Sequence, residues 1–196
     1  MTSEEVALAQ ALVRIPSENP IGTEKEIGKF IADWLSRISN VEVKKYEVQR
    51  DRFNVVARLR GRRPRAGLAY VAHMDTVPVG MGWNEDPFGG IIKGDVLYGR
   101  GSVDMKGGVA AAMVAFKRVA ESGRQPEEDF LFCATVDEEG MEMLGAVDLV
   151  NRSLVDRETV ILAPEPNSLT LTIEHKGVVW YESKLLVRAL MLVTLK

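Results

Sequence analysis

The chain has 196 residues, 46% of them hydrophobic and 27% charged, with a formal net charge of -3 at pH 7. Such a composition excludes a disordered chain and lacks the basic surplus of a nucleic-acid or membrane-surface binder. The single cysteine, Cys133, allows no internal disulfide and sits in the apolar run Phe130 to Ala134, where a buried core role is expected. The N-terminus has no signal-peptide pattern, and no apolar run reaches the length of a membrane span. A cytoplasmic enzyme of one compact domain, or of a domain plus a fragment, is the resulting expectation.

Thr2 and Glu5 have capping-box spacing, and Leu8, Leu12 and Ile15 follow at helical intervals, which predicts a first helix ending at Pro16. Ser17 to Gly22 reads as a turn-rich connection. Thr23 and Glu26 repeat the capping-box spacing, and Ile27, Phe30, Ile31, Trp34 and Ile38 form the apolar stripe of a second helix. Val41 to Val48 alternates apolar and charged residues, as a half-exposed strand does. Phe53 to Leu59 reads as a further strand, and Gly61 to Gly67 as a basic, solvated turn. Leu68 to Ala72 is short and continuously apolar, which predicts a strand buried on both faces. The glycine-rich stretch Thr76 to Gly108 holds too many aromatic and apolar residues to be a linker, and long ordered loops usually carry function. Val109, Met113, Phe116 and Ala120 mark a third helix, stopped by Gly123 and Pro126. Phe130 to Val136 is predicted as a second buried strand. Leu144, Val147 and Val150 mark a fourth helix. Thr159 to Ala163 is predicted as a third buried strand, and Leu169 to Glu174 as a more exposed one. Buried strands alternating with helices predict a three-layer α/β/α domain.

Polar residues follow each buried strand: His73 and Asp75 after the first, Glu138 and Glu139 after the second, Glu165 after the third. Asp104 precedes the third helix. In open α/β sheets the carboxyl ends of the strands are where ligands bind, so these groups are expected to converge. Taken singly, each has an ordinary structural reading as a strand end, a solvated turn or a close-packed helix start. Together they pose an electrostatic problem, because gathered carboxylates repel and are costly to bury unpaired. Divalent cations relieve that repulsion, and one imidazole among carboxylates suits zinc, cobalt or manganese. Asp75, two residues beyond His73 on an extended strand, points to the same side and can orient the imidazole. Glu138 and Glu139, adjacent at a strand end, are expected to face different ways, leaving one to bind a metal and the other to move a proton.

Val71 to Pro78, Trp83 to Gly90, Leu97 to Gly101, Asp104 to Gly108, Thr135 to Gly140 and Glu165-Pro166 resemble, in order and spacing, the motifs of the zinc-dependent deacylase and metallopeptidase family. That family includes acetylornithine deacetylase, succinyl-diaminopimelate desuccinylase, aminoacylase and glutamate carboxypeptidases. The resemblance covers the chain to about Glu182. It implies a mixed sheet of the zinc-exopeptidase type and two Zn2+ ions, with Co2+ or Mn2+ as substitutes. It further implies that His73 and Glu165 bind the first metal, Glu139 binds the second, and Asp104 bridges both. Asp75 would orient His73, Glu138 would act as general base, and the bond after Asp104 would be cis. The implied reaction is hydrolysis of an amide in an N-acyl amino acid or peptide.

The family pattern also implies features that this sequence does not supply. A lid or dimerisation domain and a further His ligand follow in relatives, whereas the only other histidine here is His175, which aligns before the lid. Residues 183–196 leave the pattern and form an apolar-basic run. Residues 1–182 are thus expected to be the N-terminal part of a catalytic domain, and residues 183–196 an atypical tail from truncation or a frameshift. The expected consequences are a weakened second metal site, low or absent activity, and exposed sheet surface prone to self-association. A non-catalytic metal-binding or interaction module is the alternative.

Overall fold

The computed structural model describes residues 3–20, 24–140 and 142–174. Helix α1 (Glu4–Val13) begins at Ser3, whose hydroxyl accepts from the Val6 amide at 3.4 Å. Thr2 and Thr23, the expected capping residues, lie outside the described residues. Helix α2 (Glu24–Leu35) buries Ile27 and Ile31 and half-buries Phe30 and Trp34, the stripe the sequence predicts. Strands β1 (Val41–Gln49) and β2 (Arg52–Leu59) pair antiparallel across a tight turn with Asp51 at a φ of 62°.

Strand β3 (Arg63–His73) is longer than expected. The basic stretch is no free turn: Arg63 and Arg65 lie in the strand and pair with Glu128. The ladder runs through two irregularities there, which the arginine-rich composition conceals. The glycine-rich stretch folds into a hairpin of β4 (Ile91–Lys93) and β5 (Val96–Tyr98), then the turn Ser102–Lys106. Helix α3 (Gly107–Glu121), strand β6 (Glu128–Thr135), helix α4 (Leu144–Asn151) and strand β7 (Val160–Leu162) complete the first of two compact units, which ends at Pro166.

The main sheet has the order β1-β2-β6-β3-β7. Strand β2 runs antiparallel to both β1 and β6, whereas β6, β3 and β7 run parallel to one another. Side chains alternate across the pleat. Val55, Ala57, Phe130, Phe132 and Ala134 face α1, α2 and α3, together with Leu12, Ile31, Met113 and Phe116. Val56, Leu131 and Cys133 face the opposite way, against Leu149 of α4 and Val155. This is a three-layer α/β/α arrangement on a mixed sheet. Cys133 is fully buried, and burial pushes its thiol pKa up to about 12, so it is an inert core residue.

Helix α4 forms where the sequence predicts it, and two other expectations fail. In α4 the buried residues are Gly145 and Leu149, while Val147 and Val150 face solvent. The reason is Gly145, which packs so tightly that a Cβ there would lie 2.4 Å from the Val136 carbonyl oxygen. That approach turns the Leu144-Val147-Val150 stripe outward. Strand β7 is short, has β3 as its one neighbour among the described residues, and leaves Val160, Ile161 and Leu162 exposed, so among those residues it is an edge strand and not a buried one. Finally, Leu169 to Glu174, in the second unit, form no strand; a turn closes on Asn167, whose carbonyl accepts from the Thr170 amide at 3.2 Å. His175 and the expected atypical tail at 183–196 lie outside the described residues.

Candidate metal centre

The parallel pairing of β3 and β6 brings the centre together. His73, the last residue of β3, stands opposite Thr135, the last residue of β6. The Met74 amide continues the ladder onto the Thr135 carbonyl at 2.8 Å. Beyond Thr135 the chain turns through Asp137 at a φ of 66°. The amides of Glu138 and Glu139 then both donate to the Asp75 carboxylate, at 3.2 and 3.0 Å. Asp104 stands in the turn before α3, and the Asp104-Met105 bond is cis, as the resemblance implies. Met105 is buried under the site, and its sulfur accepts from the His73 amide at 3.3 Å.

His73 Nε2 is 3.0 Å from Asp104 Oδ1, 3.7 Å from Glu138 Oε2 and 3.9 Å from Glu165 Oε1. Ligand atoms of His73, Asp104 and Glu165 all fall within 4.8 Å of one another, as do those of His73, Glu138 and Glu139. All six residues expected from the sequence therefore meet at one place. Two details differ from expectation. Glu138 and Glu139 do not face opposite ways, because the turn at Asp137 ends the strand alternation before they are reached, and both approach His73. Asp75 presents its backbone carbonyl to His73 Nδ1 at 3.0 Å, while its carboxylate stands off at 3.5 Å. Extended geometry stops at His73, so the carboxylate swings toward the amides of the acidic loop.

The electrostatics fit a cation site. Burial opposes charge on His73, yet hydrogen bonds to Asp104 and Asp75, with the charges of Asp75 and Glu138, raise its pKa to about 11. The hydrogen bond to His73 holds the Asp104 carboxyl below its usual range. Burial, aided by neighbouring carboxylates, pushes the Glu139 and Glu165 carboxyls up. A buried imidazole ringed by carboxylates that resist ionisation is the donor set a divalent cation stabilises.

Helix α3 and the strand ends constrain one another at Gly108, where a Cβ would lie 2.3 Å from the Pro164 carbonyl oxygen. Gly108→Ala is expected to destabilise the fold by about 1–3 kcal/mol through overpacking and to displace Glu165. Urea denaturation and a cobalt titration on that variant check both effects.

Residues that the sequence reading passed over support the centre from behind. Asn19, in the stretch read as a turn-rich connection, donates from Nδ2 to Asp75 at 2.8 Å and to Asp137 at 2.9 Å. Arg52 Nη2 reaches Asp137 at 3.0 Å and Glu24 at 2.5 Å, and its Nε reaches Glu24 at 3.0 Å. Lys106 is fully buried with its ammonium donating to the Ile15 carbonyl at 2.7 Å, and burial pushes its pKa down to about 7. Nothing local in the sequence indicated these partners.

A family model described as Peptidase family M20/M25/M40 matches residues 69–183. The chain belongs to that family. The matched residues include all six of the centre, whereas Asn19, Glu24 and Arg52 precede them. Among curated relatives, the succinyl-diaminopimelate desuccinylase of Caulobacter sp. (strain K31) is 34% identical over 174 residues, covering 86% of this chain and 42% of that protein. The protein of the same name from Rhodopseudomonas palustris (strain BisB5) is 35% identical over 194 residues, covering 90% and 48%. The chain thus spans less than half the length of these M20 relatives. Human carnosine dipeptidase 1 shares the fold with a TM-score of 0.65 at 22% identity, over 82% of this chain and 38% of that one. The Bacillus subtilis YXEP protein, described as a dinuclear metal binding peptidase of the M20 family, matches with a TM-score of 0.54 at 20% identity, over 81% and 41%. Among the described residues no helix is long and apolar enough to cross a membrane.

Proposed function

We propose that this chain carries the cation-binding core of an amide hydrolase acting on an N-acyl amino acid or short peptide, with residues 1–182 as the N-terminal part of its catalytic domain. The observation behind this reading is the convergence of His73, Asp104 and Glu165 within 4.8 Å, with Glu138 and Glu139 beside them. The desuccinylase names of the relatives make an N-succinyl amino acid the first substrate to test.

His73, Asp104 and Glu165 would hold one ion and Glu139 would contribute to a second, with zinc, cobalt or manganese suited to the donors. When bound, such an ion polarises the acyl carbonyl and acidifies a water. The remaining work belongs to side chains. Asp75 holds His73 in orientation through its carbonyl and holds the acidic loop through its carboxylate. Glu138, beside His73 and partly exposed, takes a proton from the attacking water and returns it to the leaving amine. Self-association through the exposed β7 edge is a further part of this reading.

A cobalt titration followed by visible absorption, with a parallel assay on N-succinyl and N-acetyl amino acids, tests it. Binding must displace the proton on His73 and ionise Glu139 and Glu165, whose pKa values are all raised. Affinity is therefore expected to rise with pH across the neutral range. For the cation-free protein the sign follows from the same shifts. Glu139 and Glu165 favour the folded state fully below their ordinary carboxylate range, and that contribution is lost as pH rises through their raised values. Cobalt is thus expected to raise the melting temperature more at pH 7 than at pH 4. No cobalt uptake would sink the reading; uptake without turnover would leave a non-catalytic cation-binding module.

A further inference from the structure

We propose that Asn19 is a positioning residue for the acidic loop, joining Asp75 to Asp137 so that Glu138 and Glu139 stay aimed at His73; the proposal rests on the cation-site reading above. Asn19 is 5% exposed, and its backbone is fixed by its own amide donating to the Thr76 carbonyl at 2.8 Å. Its side-chain NH2 has two hydrogens, and each goes to a different carboxylate. One partner, Asp75, follows β3; the other, Asp137, follows β6. Both carboxylates are buried and both anchor main chain. Asp75 accepts from the amides of Glu138 and Glu139, and Asp137 accepts from the amide of Leu144 at 3.3 Å.

Two buried carboxylates this close repel unless donors stand between them. On the Asp137 side a cation is present, since Arg52 shares Oδ1. On the Asp75 side the donors are the Asn19 amide, the two loop amides and the more distant His73. Among the described residues, the Asn19 side chain is thus the one neutral group bonded to both. Without it, Asp75 and Asp137 are expected to separate. The Glu138 and Glu139 amides, hung on Asp75, would move with them.

The test compares Asn19→Ala and the near-isosteric Asn19→Leu with Asp129→Ala. Asp129 is equally buried but lies at the far end of β6, accepting from the Gly61 amide and pairing with Arg58. Amide hydrogen exchange at Glu138 and Glu139 is read by NMR in the cation-free protein, and cobalt affinity by titration. Both Asn19 variants are expected to exchange faster at those two amides and to bind cobalt roughly tenfold to a hundredfold more weakly, the range for loss of an outer partner. Asp129→Ala is expected to lower thermal stability with neither change. Wild-type exchange at both amides in the Asn19 variants would overturn the proposal. Should the wild-type protein take up no cobalt, the cation-site reading fails by itself, and amide exchange alone decides the role of Asn19. If Asn19→Ala does not fold, Asn19→Leu, which keeps the shape and removes the donors without adding a third buried carboxylate, carries the measurement.

Discussion

Glu138→Gln is expected to slow amide hydrolysis by about 10²–10⁴-fold, the usual contribution of a positioned acid-base group, while cobalt affinity stays close to wild type. The contrast with its neighbour makes the result informative. Glu138 and Glu139 lie in the same cluster with His73, so geometry alone leaves their roles interchangeable. Their environments differ. Glu139 resists ionisation because it is partly buried and faces Asp104, Glu138 and Asp75, and a cation would relieve that cost. Glu138 keeps 38% of its side-chain surface exposed, with room to swing between a water and a leaving group. Glu139→Gln should therefore weaken cobalt binding, and turnover should recover in part at high cobalt. Glu138→Gln should not recover at any cobalt concentration. Steady-state rates measured across a cobalt series separate the two, and a Glu138 variant rescued by added metal would reverse the assignment.

Arg52→Ala is expected to cost about 3–5 kcal/mol of folding stability, because it strands buried carboxylates without their partner. The Glu24 side chain has no solvent exposure and Asp137 only 8%, while the Arg52 fork holds both. A loss of this size is a large share of the roughly 5–15 kcal/mol that stabilises a domain. Arg52→Lys should recover little of it, since an ammonium cannot reproduce the paired Nε and Nη2 contacts to Glu24. Urea denaturation gives the number directly. A cost under about 1 kcal/mol would mean that the Glu24 carboxyl does not depend on this ion pair.

Much of the centre was legible in the sequence because its residues sit where periodicity changes. His73 and Glu138 each follow an apolar run, and a run that stops at a charged residue marks a strand end. Helix α2 was equally legible, since its apolar stripe is wide and its opposite face charged. The failures have physical causes of another kind. The buried face of helix α4 was not legible in the sequence, because a glycine can face the sheet more closely than any valine. Strand β7 reads as core and stands at an edge, because composition reports affinity for a sheet and not the number of neighbours. The bracing set of Asn19, Arg52 and Glu24 left no local trace. Its contacts join residues 28 to 118 positions apart, side chain to side chain, and no local pattern encodes them.

The parallel pairing of β3 with β6 has a consequence for the order of assembly. Parallel neighbours cannot be joined by a tight turn, so His73 meets Thr135 only after the intervening hairpin and helix have been made. The β1-β2 hairpin, by contrast, closes within its own length. Glu165 arrives later still, some thirty positions after Thr135. A growing polypeptide on the ribosome therefore offers an ion no complete coordination set until nearly all of this unit has emerged. On the proposed reading, metal loading would be a final lock on a largely finished framework, not the seed around which the framework condenses.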